Sequence, residues 1–326
     1  MSSAPVRIYN PLHNVLAHFT DRLIGSLASA GVSSAQLSSR NGEVGSNRYD
    51  KALALAAHLR NARKYVEAAE PTIVAWPLLG WLEMPLWRHR NHQTLIAMHD
   101  PQPLVRQNGL SPRAAAFSAA ASGSQWPHVV TMSPEAYDIT SKYFDERRVH
   151  MVPHPMSRPN QDPVPETSRT VLVLGQFKSA RDLDVMASIA PELARAGWRP
   201  MVVGRGWPAI AGWEVVNRFV TEEEFEQLLA SSAALLLPYK YYFQSGVALR
   251  ALEAGLPVVG RSSGFLTSIL GADFPGAVED WDSPTSWVAA VHAATSGRVE
   301  QLCSATAYSM RGAQEWRDLI AMSSGA

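Results

Sequence analysis

Two cations three residues apart, Lys178 and Arg181, stand between a glycine-terminated apolar run (Thr170-Val171-Leu172-Val173-Leu174-Gly175) and a helical stretch that begins near Leu183. Cations at a helix N-terminus oppose the local dipole and gain nothing there for stability. They make sense if an anion sits between them and the helix. Lysine offers a point charge and arginine a forked donor, the combination that suits a diphosphate. A second signal is Gln244-Ser245-Gly246, just ahead of another helix. Glycine permits close approach there, and the free backbone N–H groups of a helix start can hold phosphate oxygens. The two signals lie at the ends of two strands and imply one anionic ligand. Gly204-Arg205-Gly206, at a third strand end, is only a G-x-G. The full dinucleotide fingerprint and the Walker-type Gly-Lys-Ser/Thr are both missing, which disfavours a dehydrogenase or a P-loop enzyme. In the first half, His99-Asp100 follows the apolar run Thr94–Met98, and Asn10 and His13 follow the run Val6–Tyr9. Asn10 and His13 are read either as acceptor-side residues or as turn chemistry.

These residues need elements to carry them. Apolar runs at 6–9, 72–76, 94–98, 128–132 and 149–153 predict strands, with helices over 15–30 and 49–69 and a helix start at Ser133-Pro134-Glu135. The second half repeats the plan. Strands are predicted at 170–175, 200–204, 215–220, 233–238 and 257–260, and helices at 183–196, 221–230 and 246–254, with another starting at 266. Apolar strands separated by helices indicate parallel sheets covered on both faces. Residues 154–169 hold His154-Pro155 to Pro165, four prolines and almost no apolar periodicity, and read as a semi-rigid linker. The expected organisation is therefore α/β, with an N-terminal domain over 1–153, a linker over 154–169 and a C-terminal domain over 170–304. Open parallel sheets bind ligands beyond the carboxyl ends of their strands, so the two domains are expected to present their loops across one cleft.

Composition narrows the function classes. The chain has 326 residues, 46% hydrophobic and 18% charged, enough apolar material for one or two cores. Its 29 basic and 29 acidic side chains balance, which argues against a nucleic-acid binder. The balance hides an asymmetry: residues 1–153 carry 15 Lys+Arg against 11 Asp+Glu, and the remainder carries 14 against 18. Arg48, Lys51, Arg60, Arg63 and Lys64 contribute much of the early excess. That excess reads either as a solvated helix face or as a surface meeting an anionic acceptor or a membrane. The single cysteine, Cys303, excludes an internal disulfide and a multi-cysteine metal site. His89/His92 and His150/His154 have suggestive spacings but no acidic or cysteine cluster beside them, so no metal is expected. No apolar run approaches the roughly 20 residues of a membrane span. The N-terminus lacks a secretion signal, so a cytoplasmic location is expected, with peripheral contact at the inner face of the membrane left open.

The order of these features resembles the GT-B glycosyltransferases, in the large retaining class that includes family 4. The resemblance is most specific from Val171 to Gly264. Val171–Arg181 is similar to that family's strand–Gly–Arg…Lys donor-phosphate loop, although Gln176 directly follows the glycine here. Val202-Val203-Gly204-Arg205-Gly206 resembles its "ivGxG" strand end, and Phe219–Phe225 its "fv-x-eel" segment, whose backbone holds the nucleotide base. Pro238-Tyr239 to Ser245-Gly246, followed by Glu253-Ala254-Gly255-Leu256-Pro257-Val258-Val259, fits a short-chain branch with a "PY…SG…al…G-x-PV" form. Ala75-Trp76-Pro77 is similar to the branch's "HWP" without its histidine, and Val152-Pro153-His154-Pro155 to its "vPHg/p". The segment from about 305 to 326, with Trp316, looks like the last helix that crosses back onto the first domain. One departure stands out: the glutamates of the family's E-x7-E pair fall here on Tyr242 and Arg250.

The resemblance implies two Rossmann-like domains and the transfer of a sugar, expected to be a hexosyl group, from a nucleotide-sugar with retention at the anomeric carbon. The reaction would belong to polysaccharide or glycoconjugate biosynthesis. Lys178, Arg181 and the Ser245-Gly246 amides would stabilise the departing diphosphate without a metal. Gly175, Gln176, Gly204, Phe219, Val220 and Gln244 would line the donor, and His99 would orient the donor sugar. Asn10 and His13 would face the acceptor, and Asp100 would either orient His99 or meet the acceptor, which could be a glycan, a lipid-linked sugar or a small molecule. No cofactor is implied. Two other readings compete: a degenerate relative that binds a nucleotide-sugar or a partner without turnover, and a sugar-nucleotide epimerase on the same plan. The epimerase needs titrating groups around the sugar, and the missing carboxylate pair disfavours it.

Overall fold

The computed structural model describes residues 5–12, 16–38, 48–66, 70–88, 94–102, 107, 109–121, 126–162 and 168–324. The chain divides into two compact units, Met1–Ser157 with Ser309–Ala326, and Arg158–Tyr308.

The first unit is built on β1 (Val6–Asn10), α1 (Ala17–Ser29), β2 (Ser34–Ser38), α2 (Arg48–Val66), β3 (Thr72–Val74), α3 (Glu83–Leu86), β4 (Thr94–Ala97), α4 (Pro112–Ala120), β5 (His128–Thr131), α5 (Pro134–Ser141) and β6 (Val149–Met151). The six strands run parallel in the order β2-β1-β3-β4-β5-β6. Successive strand side chains point to opposite faces. Ile8, Ile73, Leu95 and Val130 therefore pack on one side with Phe19, Leu23 and Leu27 of α1 and with Trp316, Leu319 and Ile320. Tyr9, Val74, Ile96 and Val129 pack on the other with Trp81, Trp87, Ala62 and Ala115. Burial on both faces explains why these strands read as continuous apolar runs. Edge strand β2 has one large apolar residue, Leu37, and leaves no such run.

The second unit contains β7 (Thr170–Leu174), α6 (Leu183–Arg195), β8 (Arg199–Val203), β9 (Glu214–Val216), α7 (Glu222–Ser231), β10 (Ala234–Leu237), α8 (Gly246–Glu253), β11 (Val258–Gly260), α9 (Gly264–Leu270) and α10 (Pro284–Ser296). α11 (Arg298–Ser324) starts in this unit and ends in the first. The five parallel strands are ordered β11-β10-β7-β8-β9. Val171, Val173, Val202, Leu236 and Val259 meet α6 and α10 across one face. Edge strand β11 is closed by a side chain: buried Gln301 accepts from the Val258 amide at 2.9 Å and donates to the Val258 carbonyl at 3.0 Å. The two doubly covered parallel sheets are the expected α/β architecture. One boundary differs at the site: β9 ends at Val216, not Val220, so Phe219 and Val220 lie in the loop before α7. Among the described residues, no helix is long and apolar enough to cross a membrane.

Candidate functional site

The carboxyl end of the second sheet gathers most of the residues singled out by sequence. Gly175 directly follows β7, and its φ of +102° suits glycine. Gly204 directly follows β8, and a Cβ there would lie 2.1 Å from the Gly175 carbonyl oxygen. Only glycine lets these strand ends close so tightly. The Trp207 indole N–H then donates to that carbonyl at 2.8 Å, and the Phe177 amide donates to Arg205 at 2.9 Å. Asn217 bridges the next turn, accepting from Gly206 and donating to Trp207, both at 2.8 Å.

Arg181 folds beneath this loop. Its backbone pairs with Tyr239 as an isolated antiparallel bridge, while Asp182 donates to Pro238 at 2.7 Å and Lys240 to Ala180 at 2.8 Å. The loop after β7 is thus stitched to the loop after β10. The Arg181 guanidinium lies 4.2 Å from the Tyr239 ring centre and 5.1 Å from that of Trp207, and is only 3% exposed. Its Nη2 donates to the Leu174 carbonyl at 2.9 Å, but Nε and Nη1 have no hydrogen-bond partner among the described residues. Burial pulls its pKa down, with Tyr239 acting in the opposite sense. A buried cation with two idle donors is costly unless an anion completes it.

The start of α8 is brought to the same place. Ser245 caps the helix, accepting from the Ala248 amide at 3.3 Å. A Cβ on Gly175 would lie 3.5 Å from Val247 and 3.8 Å from Arg181 Nη2. Gly246 is exposed, and a Cβ there would meet nothing within 4 Å. Gln244 is half-buried, and Gln176 and Lys178 are exposed. Gly175, Arg181, Gly204 and the Ser245-Gly246 helix start are therefore neighbours. Phe219 stands 74% exposed just ahead of α7, with half-buried Val220 beside it. Thr221 caps α7, and Arg218 donates to the Phe219 carbonyl and forms an ion pair with Glu224.

Sequence reasoning passed over Tyr239 and Trp207 as partners of Arg181. A tyrosine following a strand reads equally as core packing, and nothing local ties Trp207 to a strand 30 residues earlier. Arg250, at the position of an expected carboxylate, lies 3.7 Å from the Phe225 ring centre and pairs with both Glu222 and Glu226 of α7. Tyr242 is buried and its hydroxyl accepts from Ser263 at 2.9 Å.

In the first unit, His99 follows β4 and is 4% exposed. Its Nε2–H donates to the Ala75 carbonyl at 2.9 Å, and it packs against Phe19 and Trp76. His154 lies 6.1 Å away, donating from Nδ1 to the Pro155 carbonyl. Burial and the neighbouring His99 push its pKa down to about 3. Asp100 is half-buried. Asn10 is buried and its Oδ1 accepts from the Leu12 amide at 2.9 Å, which is turn chemistry. His13, His89 and His92 lie outside the described residues. His150 is bonded to His128 at 2.6 Å, so it does not share a partner with His154. No cluster of three or more metal-ligating side chains occurs among the described residues.

No family model matches the sequence, and no curated protein matches it. Solved structures do. Sucrose-phosphate synthase from Thermosynechococcus elongatus superposes with a TM-score of 0.67 at 15% identity, over 98% of this chain and 100% of that one. HepE of Anabaena, solved with UDP and glucose, superposes at 0.62 and 11% identity, again over 98% of this chain and 100% of that one. TarM superposes at 0.61 and 12% identity, and the match covers 82% of this chain but 58% of TarM. These neighbours are GT-B glycosyltransferases, and at such identities the likeness establishes the fold: this chain has the GT-B fold.

Proposed function

We propose that this chain is a glycosyltransferase that moves a hexosyl group from a nucleoside diphosphate sugar to a glycan acceptor, with retention and without a metal ion. One observation carries the reading. The buried guanidinium of Arg181, with two donors unpartnered among the described residues, lies beside two glycine-built strand ends and the opening turn of α8. A diphosphate would take those donors, with the exposed Lys178 ammonium and the amides at Ser245-Gly246 adding to the same charge. Structures of the same fold have been solved with UDP, which supports this class of donor.

Such a site stabilises negative charge as it develops on the leaving group, typically the largest single contribution to catalysis. The acceptor oxygen bonds to the anomeric carbon on the face from which the diphosphate leaves. The bond from that carbon to the diphosphate oxygen breaks, and the acceptor's proton passes to the departing phosphate. No protein nucleophile is needed. Phe219 and Val220 would flank the base, and Gln176 and Gln244 are polar groups within the same loop cluster. A second reading, binding without turnover, is favoured by Arg250, whose charge is directed to α7 where the resemblance places a ribose-binding carboxylate.

The test has two stages. Thermal stabilisation is measured with UDP, GDP and dTDP, since a ligand of the native state raises apparent stability. Donor turnover is then followed with the corresponding glucose and N-acetylglucosamine donors in EDTA, and the product anomer is read by NMR. Stabilisation with turnover and a retained anomer supports the proposal. Stabilisation without turnover supports the second reading, and no response to any nucleoside diphosphate refutes both.

A further inference from the structure

We propose that the outward face of α2 is a docking surface for an anionic lipid bilayer. This inference does not depend on the donor site. Among the described residues, α2 is held to its own unit by one side only. His58 and Ala62 are its buried residues among those described, with Tyr65 and Asn61 half-buried beside them. His58 is tied to the sheet and to α3, with Nδ1 3.1 Å from the Tyr9 hydroxyl and Nε2 2.9 Å from Glu83 Oε1. Glu83 in turn accepts from the Leu79 amide and the Trp87 indole. This network is complete and pins one face of the helix.

The opposite face comprises positions 52, 53, 56, 59, 60, 63 and 64, a spacing that lines one side of an α-helix. All seven are exposed, and half-covered Leu55 borders them. Leu53 is 53% exposed, Leu59 42% and Leu55 37%. A face that only needs water would not place leucines there, and a face built for protein core would not add Arg60, Arg63 and Lys64. From 52 to 64 on this face the leucine and alanine positions 52, 53, 56 and 59 precede the cations at 60, 63 and 64, with no carboxylate from 52 to 65. Apolar side chains that enter the acyl boundary, next to cations that stay at the headgroups, are the ordinary chemistry of an interfacial helix. The charge sign selects the partner: α2 carries five Lys/Arg against Asp50 alone, within the half of the chain that holds the basic excess. Anionic headgroups complement that charge, whereas a second copy of this basic face would repel it.

The full chain is sedimented with vesicles of phosphatidylcholine alone and with vesicles containing 30% phosphatidylglycerol, each at low and high salt. Binding is expected only to the anionic vesicles and to weaken as salt rises. Arg60→Gln, Arg63→Gln, Lys64→Gln together should lower the partition coefficient roughly 100-fold. Leu53→Ser with Leu59→Ser should lower it about tenfold or more. Both variants should retain the helical circular dichroism and nucleotide response of the parent, because none of the changed side chains is buried. Equal pelleting with both vesicle types, no pelleting, or pelleting unaffected by either variant overturns the proposal. So does a concentration-dependent dimer in sedimentation velocity that the leucine variant abolishes, which would assign the face to a second copy.

Discussion

Replacing Arg181 with methionine separates the two things this residue could be doing. In the unliganded protein the change removes one charge-assisted bond, to the Leu174 carbonyl, worth about 1.5–3 kcal/mol. It also removes the stacking on Tyr239 and Trp207, worth about 2 kcal/mol. Against these stands the desolvation of a cation that leaves Nε and Nη1 unsatisfied, several kcal/mol by itself. Methionine fills a similar volume without that penalty, so the melting temperature should hold or rise. Binding of the diphosphate should suffer much more. Losing a buried charge-assisted contact to a ligand costs about 2–5 kcal/mol, which raises Kd roughly 30-fold to several thousandfold. With UDP at about 100 times the parent Kd, the parent gains about 2.7 kcal/mol. That corresponds to about 5–11 °C for a unit of this size. The variant should gain about 0.9 kcal/mol or less under the same conditions. Differential scanning calorimetry with and without UDP reads both quantities. A variant that keeps the full UDP shift, or that melts far below the parent without ligand, would show that Arg181 serves the fold rather than the anion.

Three further outcomes follow from the same structure. Gly204→Ala places a methyl 2.1 Å from a backbone oxygen at a φ of +150°, so it should destabilise by about 2–4 kcal/mol in urea titrations and abolish the UDP shift. Gly246→Ala meets open space and should stay within about 0.5 kcal/mol of the parent while still weakening UDP, and equal effects of the two changes would contradict the assigned site. Acid should unfold the first unit through its buried histidines. The folded state holds His154 neutral with a pKa near 3 and His128 near 4, whereas the unfolded chain takes up those protons below about 6.5. The contribution is therefore full above pH 6.5 and lost as the pH falls towards 3, by about 2 kcal/mol at pH 5 from His154 alone. His154→Gln should flatten urea stability between pH 7 and pH 5, and an unchanged slope would refute the linkage.

Most of the fold was legible because both sheets are buried on two faces, so strands such as Leu95-Ile96-Ala97 and Leu235-Leu236-Leu237 announce themselves as apolar runs. What escaped lacked that signature. β2 is a polar edge strand, and α4 is a run of alanines with no periodic stripe. In α2 the usual pattern is partly inverted, because polar His58 is buried and Leu53 is not. At the candidate site, the glycines and the helix cap were readable from local chemistry. The place of Arg181 was not: the spacing with Lys178 suggests two equivalent cations, yet the chain buries one and exposes the other. That difference arises from pairing between loops some 60 residues apart, which no local pattern records.

The course of α11 imposes an order on synthesis. The second unit is one continuous stretch, Arg158–Tyr308, so it needs no residue beyond Tyr308. The first unit is interrupted: Trp316, Leu319 and Ile320, made after the whole second unit, seal a core whose strands were made before it. Trp316 also donates to the Pro153 carbonyl at 2.9 Å, closing the seam where the early segment stops. The unit whose strands are made earlier is thus completed later than the other, and until residues 316–320 arrive its apolar sheet face stays open to chaperones and proteases.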